Sequence, residues 1–144
     1  MHWREIRVFG DADVTPGTNL ARAYGVVTQS ATDFGGYAQK GVDGNTDGNY
    51  FTGNSVTHTP FQADPWYLVD LGSEFSVDNV VLYNRSDCCA GRTRDLYIEL
   101  LAADGSLVAT SPLLTFRLSR PAPSGTAAQT SPVPRRPDRI RPNS

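Results

Sequence analysis

Apolar residues in this sequence are confined to short segments, each bounded by Gly, Pro, Asn or Asp. The segment Glu5–Phe9 alternates polar and apolar side chains, which predicts a half-buried β-strand. Strong helical periodicity is absent. Short strands separated by turn signals predict an all-β fold, a β-sandwich of the jelly-roll kind. Further strands are predicted at Ala23–Thr28, Trp66–Leu71, Asn79–Tyr83, Leu96–Leu101 and Leu107–Ala109.

The length of 144 residues is enough for one domain with its own core. No apolar run approaches the roughly 18–20 residues of a membrane span, so membrane insertion is not expected. The amino end, MHWREIRVFG, shows no apolar core of a secretory signal.

Charge divides the chain into two parts. Residues 1–116 hold 14 acidic and 7 basic residues, whereas residues 117–144 hold six Arg and six Pro but one acid, Asp138. We therefore predict a folded domain over 1–116 and an irregular, solvated Pro/Arg-rich tail over 117–144. Basic tails can bind nucleic acid, but the main body has no basic stripe, and nucleic acid is not an expected partner.

The stretch NRSDCCAGR, residues 84–92, concentrates the chemistry-bearing side chains. Arg85 and Arg92 would repel each other on one loop unless something held them. Asp87 can fix one or both guanidinium planes by charge-assisted hydrogen bonds. The alternative is a surface ion-pair cluster of small energetic value.

Cys88 and Cys89 are the only cysteines of the chain. Neighbouring Cα atoms lie about 3.8 Å apart, closer than the ~4.4–6.8 Å usual for a disulfide. A bond between them would therefore force an unusual backbone, which is found mostly at functional sites. Two free thiols or a soft-metal site are the alternatives, although zinc would lack ligands. A disulfide would imply an oxidising compartment and would present a flat apolar plate suited to a sugar.

The spacing of four residues resembles a known family. His58 is followed after 26 residues by Arg85-x-Asp87-x-x-x-x-Arg92, with a cysteine pair after the Asp. This pattern resembles the fucose-binding signature of the F-type lectins (fucolectins), and VDGNTDGN, THT and WYLVDLG also look like that family. The resemblance covers roughly residues 19–111. It implies a β-sandwich of the F-type lectin kind that binds terminal L-fucose on glycans and is not an enzyme.

The resemblance also implies residue roles. His58 would hydrogen-bond the axial 4-hydroxyl of fucose, while Arg85 and Arg92 would hold the ring oxygen and neighbouring hydroxyls. Asp87 would orient the arginines without touching the ligand. The resemblance implies two further contacts. A Cys88–Cys89 bridge would pack on one edge of the sugar, and Tyr50 and Phe51 would lie near its C6 methyl group.

The partners implied are fucosylated glycans met outside the cell. One lectin site is usually weak, so biological binding would need several copies, as an oligomer or as tandem domains. Asn84-Arg85-Ser86 is a glycosylation sequon, and we expect it to be unmodified because a glycan there would crowd the site.

A long polar loop, 35–59, predicts a functional segment or one that needs support. Its DGNTDGN opens like an EF-hand loop, but Asn54 stands where the bidentate Glu belongs. A series of Asx/Gly turns is the alternative without metal. The resemblance implies a structural Ca²⁺, whose predicted ligands, with Asn54 the alternative to the last, are the Lys40 carbonyl, Asp43, Asn45 and Ser55.

The carboxyl-terminal part departs from the family, whose members finish on a strand resembling AEVEVYG. The amino end, WREIRVFG, looks like that missing strand. We hypothesise that Glu5–Phe9 takes its place, in the chain's own sandwich as a circular permutation or in a neighbour's as a swap. Glu5 and the Arg4 carbonyl would then complete the calcium shell. Alternatively, the chain is a fragment of tandem lectin domains.

Two other functions are considered. An enzyme would use His58 and Asp87 in hydrolysis, but no nucleophile motif is present, and two arginines should lower the pKa of Asp87 below that of a general acid. A discoidin-like module would bind phospholipid, protein or another sugar, since WYLVDLG fits that wider fold. Such a module would not need the His–Arg–Arg set formed by His58, Arg85 and Arg92.

Overall fold

The computed structural model describes residues 1, 3–10, 17–115 and 128–132. These residues form mostly strands, which confirms the predicted all-β class. The strands are β1 Trp3–Phe9, β2 Val26–Gln29, β3 Tyr67–Asp70, β4 Asn79–Asn84, β5 Arg94–Leu96, β6 Glu99–Leu101, β7 Leu107–Thr110, β8 Leu114–Thr115 and β9 Ala128–Pro132. The α-helices are α1 Leu20–Tyr24 and α2 Tyr50–Gly53, and 3₁₀ turns cover Ala38–Gly41 and Ala90–Arg92.

All the strand pairs are antiparallel. β4 lies in the centre of a three-stranded sheet between β1 and β9, while β2 pairs with β3, β5 with β8 and β6 with β7. Val80, Val81 and Leu82 of β4 are all buried, because the central strand is covered on both faces.

The hydrophobic core joins several of these elements. Val8 of β1, Leu20 and Ala21 of α1 and Val80 of β4 are its buried centre. The side chains packed against them come from β1 and β3, from the residue after the 3₁₀ turn at 38–41, and from the loops after β3 and β5, so the cluster joins these elements. These side chains are Ile6, Val42, Val69, Leu71, Phe75, Val77 and Ile98.

Strand β1 lies between β4 and the segment that carries His58. On one side it pairs with β4, with Val8 opposite Val80. On the other side the Trp3 carbonyl accepts a hydrogen bond from the Thr57 amide at 2.8 Å. The Met1 carbonyl accepts a second hydrogen bond, from the Thr59 amide at 3.0 Å. Strand β1 thus joins the central sheet to the segment that carries His58.

The predicted strand Ala23–Thr28 is correct only in its second half. Residues 20–24 form α1, whose first turn is capped by Asn19, because its side chain accepts a hydrogen bond from the Arg22 amide. Leu20 and Ala21 are fully buried by this turn. The strand then covers Val26–Gln29.

The predicted strand Leu96–Leu101 is two short strands. β5 pairs with β8 and β6 with β7, so the chain changes partner between them. Ile98 lies at the break, where its amide donates to Ser111 Oγ at 3.0 Å and its side chain packs against the core. The predicted hairpin turn at 102–106 is present between β6 and β7, with Gly105 at φ +81°.

The predicted tail, 117–144, contributes β9, which pairs with Asn79–Tyr83 of β4. The remaining tail residues lie outside the described part of the chain. In that described part, no helix is long and apolar enough to cross a membrane.

Candidate functional site

The loop that follows β4 joins Arg85 and Asp87 in a bidentate pair. Arg85 Nε donates to Asp87 Oδ1 at 2.6 Å and Nη2 donates to Oδ2 at 2.8 Å. The two side chains are only 7% and 10% exposed. These hydrogen bonds lower the pKa of Asp87 to about 2 and raise that of Arg85. The pair is therefore fully charged at neutral pH, and the guanidinium plane is fixed.

Tyr50, the first residue of α2, lies against this pair. The Arg85 guanidinium carbon is 4.7 Å from the Tyr50 ring centroid, a cation–π contact. The Tyr50 backbone N–H helps to lower the pKa of Asp87, and the Tyr50 hydroxyl donates to the Phe34 carbonyl. Asn49 caps this turn and accepts hydrogen bonds from the amides of residues 51 and 52 at 2.9 and 3.1 Å.

His58 lies on the other side of Tyr50. The two ring centroids are 6.5 Å apart, and the Phe34 ring stands edge-on to the imidazole at 5.3 Å. The His58 amide donates to the Gly36 carbonyl at 2.9 Å, and the His58 carbonyl accepts from the Asp33 amide at 3.0 Å. These bonds fix the backbone under the imidazole.

The surroundings of the His58 imidazole favour its neutral form. Burial lowers its pKa, and the positive charges of Arg85 and Arg92 act in the same direction. A neutral imidazole has one donor and one acceptor nitrogen, which suits a hydroxyl group. Arg92 ends the 3₁₀ turn at 90–92 and its side chain is exposed.

The two cysteines are joined in a disulfide, with Cα atoms 3.7 Å apart. The alternatives of free thiols and a soft-metal site are therefore wrong. Cys89 adopts φ +60°, in the left-handed region, and immediately precedes the turn of Arg92. Its carbonyl accepts a hydrogen bond from the Arg92 amide at 2.9 Å. Cys88 is exposed, so the bridge forms part of the loop's outer surface.

Asn84 closes the base of the same loop. Its side-chain oxygen accepts from the Arg85 amide at 2.8 Å and its nitrogen donates to the Ala90 carbonyl at 2.9 Å. The residue is only 8% exposed. The side-chain nitrogen, to which a glycan would be attached, is therefore buried and engaged in the fold.

The structure thus brings together most of the residues predicted to bind a ligand. His58, Arg85 and Asp87 surround Tyr50, and the disulfide follows in the same loop. Phe51 is 83% exposed, with its ring edge-on to Tyr50 at 5.3 Å. Sequence reasoning missed Phe34, an exposed aromatic residue at φ +48°. The adjacent glycines of FGG are the only signal that this turn approaches another backbone.

The loop at 43–49 is a ladder of Asx turns. At every second residue a side-chain oxygen accepts a hydrogen bond from the backbone amide two residues later. Asp43 accepts from the Asn45 amide at 2.7 Å, Asn45 from the Asp47 amide at 2.9 Å, and Asp47 from the Asn49 amide at 3.0 Å. The turn series predicted as the metal-free alternative is therefore present. It positions the cap of α2.

Glu5 of β1 reaches into this loop. Its side chain is fully buried, and Oε2 accepts a hydrogen bond from the Gly44 amide at 3.1 Å. Oε1 has no hydrogen-bond partner and lies 3.5 Å from Arg7 Nε. Burial raises the pKa of Glu5 to about 7, and the neighbouring carboxylate of Asp43 adds to that rise.

A calcium ion would fit this arrangement. The buried carboxylate of Glu5, with Asp43 close by, offers the hard oxygen ligands that calcium prefers. Within the described ranges, no three His, Cys, Asp or Glu side chains could hold a metal, so amide and carbonyl oxygens would have to complete the shell. Ser55, buried here, donates to the Asp47 carbonyl, and Lys40 Nζ donates to Asn54 Oδ1 at 2.7 Å. The register of β1 shifts between Trp3 and Glu5, so Arg4 lies at an irregularity.

Comparison with known proteins agrees with the sequence resemblance. A family profile described as a NedA-like, galactose-binding domain matches residues 40–120, more than half of the chain. A fucolectin of Anguilla anguilla is 38% identical over 89 residues, covering 56% of each protein. Fucolectin-6 of Anguilla japonica is 33% identical over 102 residues, covering 65% of this chain and 54% of the relative. The chain thus spans little more than half the length of these relatives.

Solved structures match the fold. A fucose-binding module of Streptococcus pneumoniae superposes with a TM-score of 0.68 at 31% identity, covering 80% of this chain and 74% of the module. A mutant lectin domain of lectinolysin, solved in complex with Lewis b, gives 0.67 at 33% identity, covering 83% and 86%. The chain therefore belongs to the family of NedA-like, galactose-binding domains, and within it to the F-type lectins. These relatives are named as lectins and binding modules, which supports the prediction of a binding protein rather than an enzyme.

Proposed function

We propose that this chain binds terminal L-fucose on glycans. The observation that carries the proposal is that Arg85 and His58, 27 positions apart, lie against the same Tyr50 ring at 4.7 and 6.5 Å. This proximity supports the interpretation that the two residues serve one binding site. Relatives named fucolectins and structures named fucose-binding modules support the same ligand.

Each residue contributes a different interaction in this proposal. The neutral imidazole of His58 hydrogen-bonds the axial 4-hydroxyl, and Arg85 and Arg92 donate to the ring oxygen and adjacent hydroxyls. Asp87 engages Nε and Nη2 of Arg85, so the remaining guanidinium N–H groups are available to the sugar. The disulfide offers an apolar surface to one edge of the ring, and Phe51 lies near the C6 methyl.

Calcium belongs to the proposal as a structural ion. Its charge would balance the buried carboxylate of Glu5 and hold the 43–49 loop to β1. The predicted shell, the Lys40 and Arg4 carbonyls, Asp43, Asn45, Ser55 and Glu5, would supply oxygen ligands. The ion would stabilise the loops that carry Tyr50 and His58 and would take no part in chemistry.

The proposed partners are fucosylated glycans outside the cell. The Cys88–Cys89 disulfide supports an extracellular location, because such bonds persist in oxidising compartments. Repeated copies, as an oligomer or as fused domains, would supply avidity.

A membrane-binding module is the second candidate. Phe34 and Phe61 are exposed on loops and Phe51 on the short helix α2, and Phe61 is wholly exposed. Apolar loop tips of this kind can enter a bilayer surface. The buried Arg85–Asp87 pair would serve no purpose in that function, so we favour the sugar.

Isothermal titration with L-fucose and with fucosylated oligosaccharides tests the proposal. Arg85→Ala and Arg92→Ala should each weaken binding by about 1.5–3 kcal/mol, because a charge-assisted hydrogen bond is lost. Fucose binding that survives both substitutions would end the lectin assignment. Sedimentation with phosphatidylserine vesicles is the parallel arm, and binding there without fucose affinity would favour the second candidate.

A further inference from the structure

Tyr50 contacts two segments of the candidate site at once. Its hydroxyl donates to the Phe34 carbonyl, and its ring faces the Arg85 guanidinium at 4.7 Å. The sequence resemblance assigned Tyr50 only a contact with the methyl group of the ligand. The observed contacts are with the protein.

The ring supplies a restraint on Arg85 that Asp87 cannot provide. Two hydrogen bonds fix one edge of the guanidinium, but they allow the plane to tilt about that edge. An aromatic ring whose centroid lies 4.7 Å from the guanidinium carbon opposes the tilt and adds a favourable cation–π interaction. Ring and carboxylate together leave one orientation for the remaining N–H groups of Arg85.

The hydroxyl extends the same restraint towards His58. Its hydrogen bond ties Tyr50 to residue 34, and the Gly36 carbonyl of that turn accepts the His58 amide at 2.9 Å. The positions of the His58 imidazole and the Arg85 guanidinium thus both depend on Tyr50. The ring and the hydroxyl have separable effects, on Arg85 and on His58 respectively.

We propose that Tyr50 is a positioning residue, which holds the Arg85 guanidinium in the orientation that receives the sugar, and that its contact with the sugar methyl is secondary. This inference rests on the proposed function, because Arg85 is taken there as a ligand contact. It deepens that function by assigning the geometry of the site to a residue outside the His–Arg–Arg set.

The binding of two sugars, one with and one without the methyl group, distinguishes a positioning role of Tyr50 from a direct contact with that methyl group. D-Arabinopyranose has the ring hydroxyls of L-fucose, with hydrogen in place of the methyl group. Tyr50→Leu should weaken the binding of both sugars by the same factor, about tenfold, because the cation–π contact with Arg85 is lost in each case. Tyr50→Phe keeps the ring and should lose less affinity than Tyr50→Leu, because only the hydrogen bond to the Phe34 carbonyl is removed. Loss for L-fucose alone, with D-arabinose unaffected, would overturn the inference.

A measurement without ligand makes the test independent of fucose. The Arg85 Nε–H resonance should be shifted upfield by the Tyr50 ring and should exchange slowly with solvent. In Tyr50→Leu it should move downfield and exchange faster, whereas Tyr97→Leu, at a tyrosine that is 59% exposed, should leave it unchanged. An unaltered resonance in Tyr50→Leu would also overturn the inference. If the unmodified protein binds neither sugar, the proposed function fails, and the Arg85 resonance still decides whether Tyr50 positions the guanidinium.

Discussion

The backbone of Gly36 lies directly against that of His58. The Gly36 carbonyl accepts the His58 amide at 2.9 Å, and a Cβ added to Gly36 would overlap the His58 backbone nitrogen. Only a residue without a side chain permits this approach. The position of the imidazole therefore depends on a glycine that carries no chemistry.

We expect Gly36→Ala to displace His58. The overlap is with backbone, which cannot rotate away, so the substitution should cost about 1–3 kcal/mol of unfolding free energy and weaken fucose binding. Urea denaturation and titration measure the two effects. Gly91→Ala is the matched control, because its Cβ would meet nothing within 4 Å. Full affinity in Gly36→Ala would show that His58 is not held by this contact.

The Asp87 carboxylate should stabilise the fold down to unusually low pH. Because its pKa is lowered from 3.8 to about 2, its contribution is fully present above pH 3.8 and is lost as the pH falls through about 2. The difference in unfolding free energy between the unmodified protein and Asp87→Asn should be constant at neutral pH and shrink between those values. Urea denaturation over a pH series measures it. A difference that persists unchanged at pH 2 would contradict the assignment.

Calcium should raise the melting temperature through Glu5. An ion at about 100 times its dissociation constant stabilises the folded state by about 2.7 kcal/mol. Glu5→Gln should remove that effect, yet leave the calcium-free protein no less stable, since the substitution relieves a fully buried carboxylate. Thermal unfolding with calcium and with chelator tests both statements. The exposed Glu99→Gln is the control, and a full calcium shift in Glu5→Gln would refute the assignment.

Replacing both cysteines by serine should act through Arg92. Without the bridge, Cys89's left-handed φ of +60° costs roughly 1–3 kcal/mol and should relax. Cys89 is the N-cap of the 3₁₀ turn that ends at Arg92, so this turn would no longer be fixed at its beginning. The double substitution should weaken fucose binding, and adding Arg92→Ala should cost little more. Fully additive losses would show that disulfide and arginine act separately.

Local patterns predicted much of this molecule. Strands with alternating or apolar runs, such as Asn79–Asn84, lie where the sequence indicates, because half-buried and buried strands impose those patterns. The pairing of Arg85 with Asp87 also followed from their proximity in sequence. Glu5 lies beside Gly44, as the closing-strand hypothesis required.

Other features depend on contacts between distant residues. The alternation in β1 indicates only a half-buried strand, whereas the structure buries the Glu5 carboxylate completely, against the Gly44 amide. α1 was missed because its apolar stretch is short and its start depends on the Asn19 cap. Phe34 could not be foreseen as part of the site, since only the folding of its turn onto His58 brings it there.

The pairing of β1 with β4 also bears on how the chain acquires its structure. Glu5 is matched with Tyr83, so a long stretch of polypeptide must close before the central sheet exists. Pairings between such distant segments are formed slowly. On the ribosome, the strand at residues 3–9 must remain without its neighbour until residues 79–84 have emerged, and until then its apolar side chains are exposed to chaperones and to aggregation.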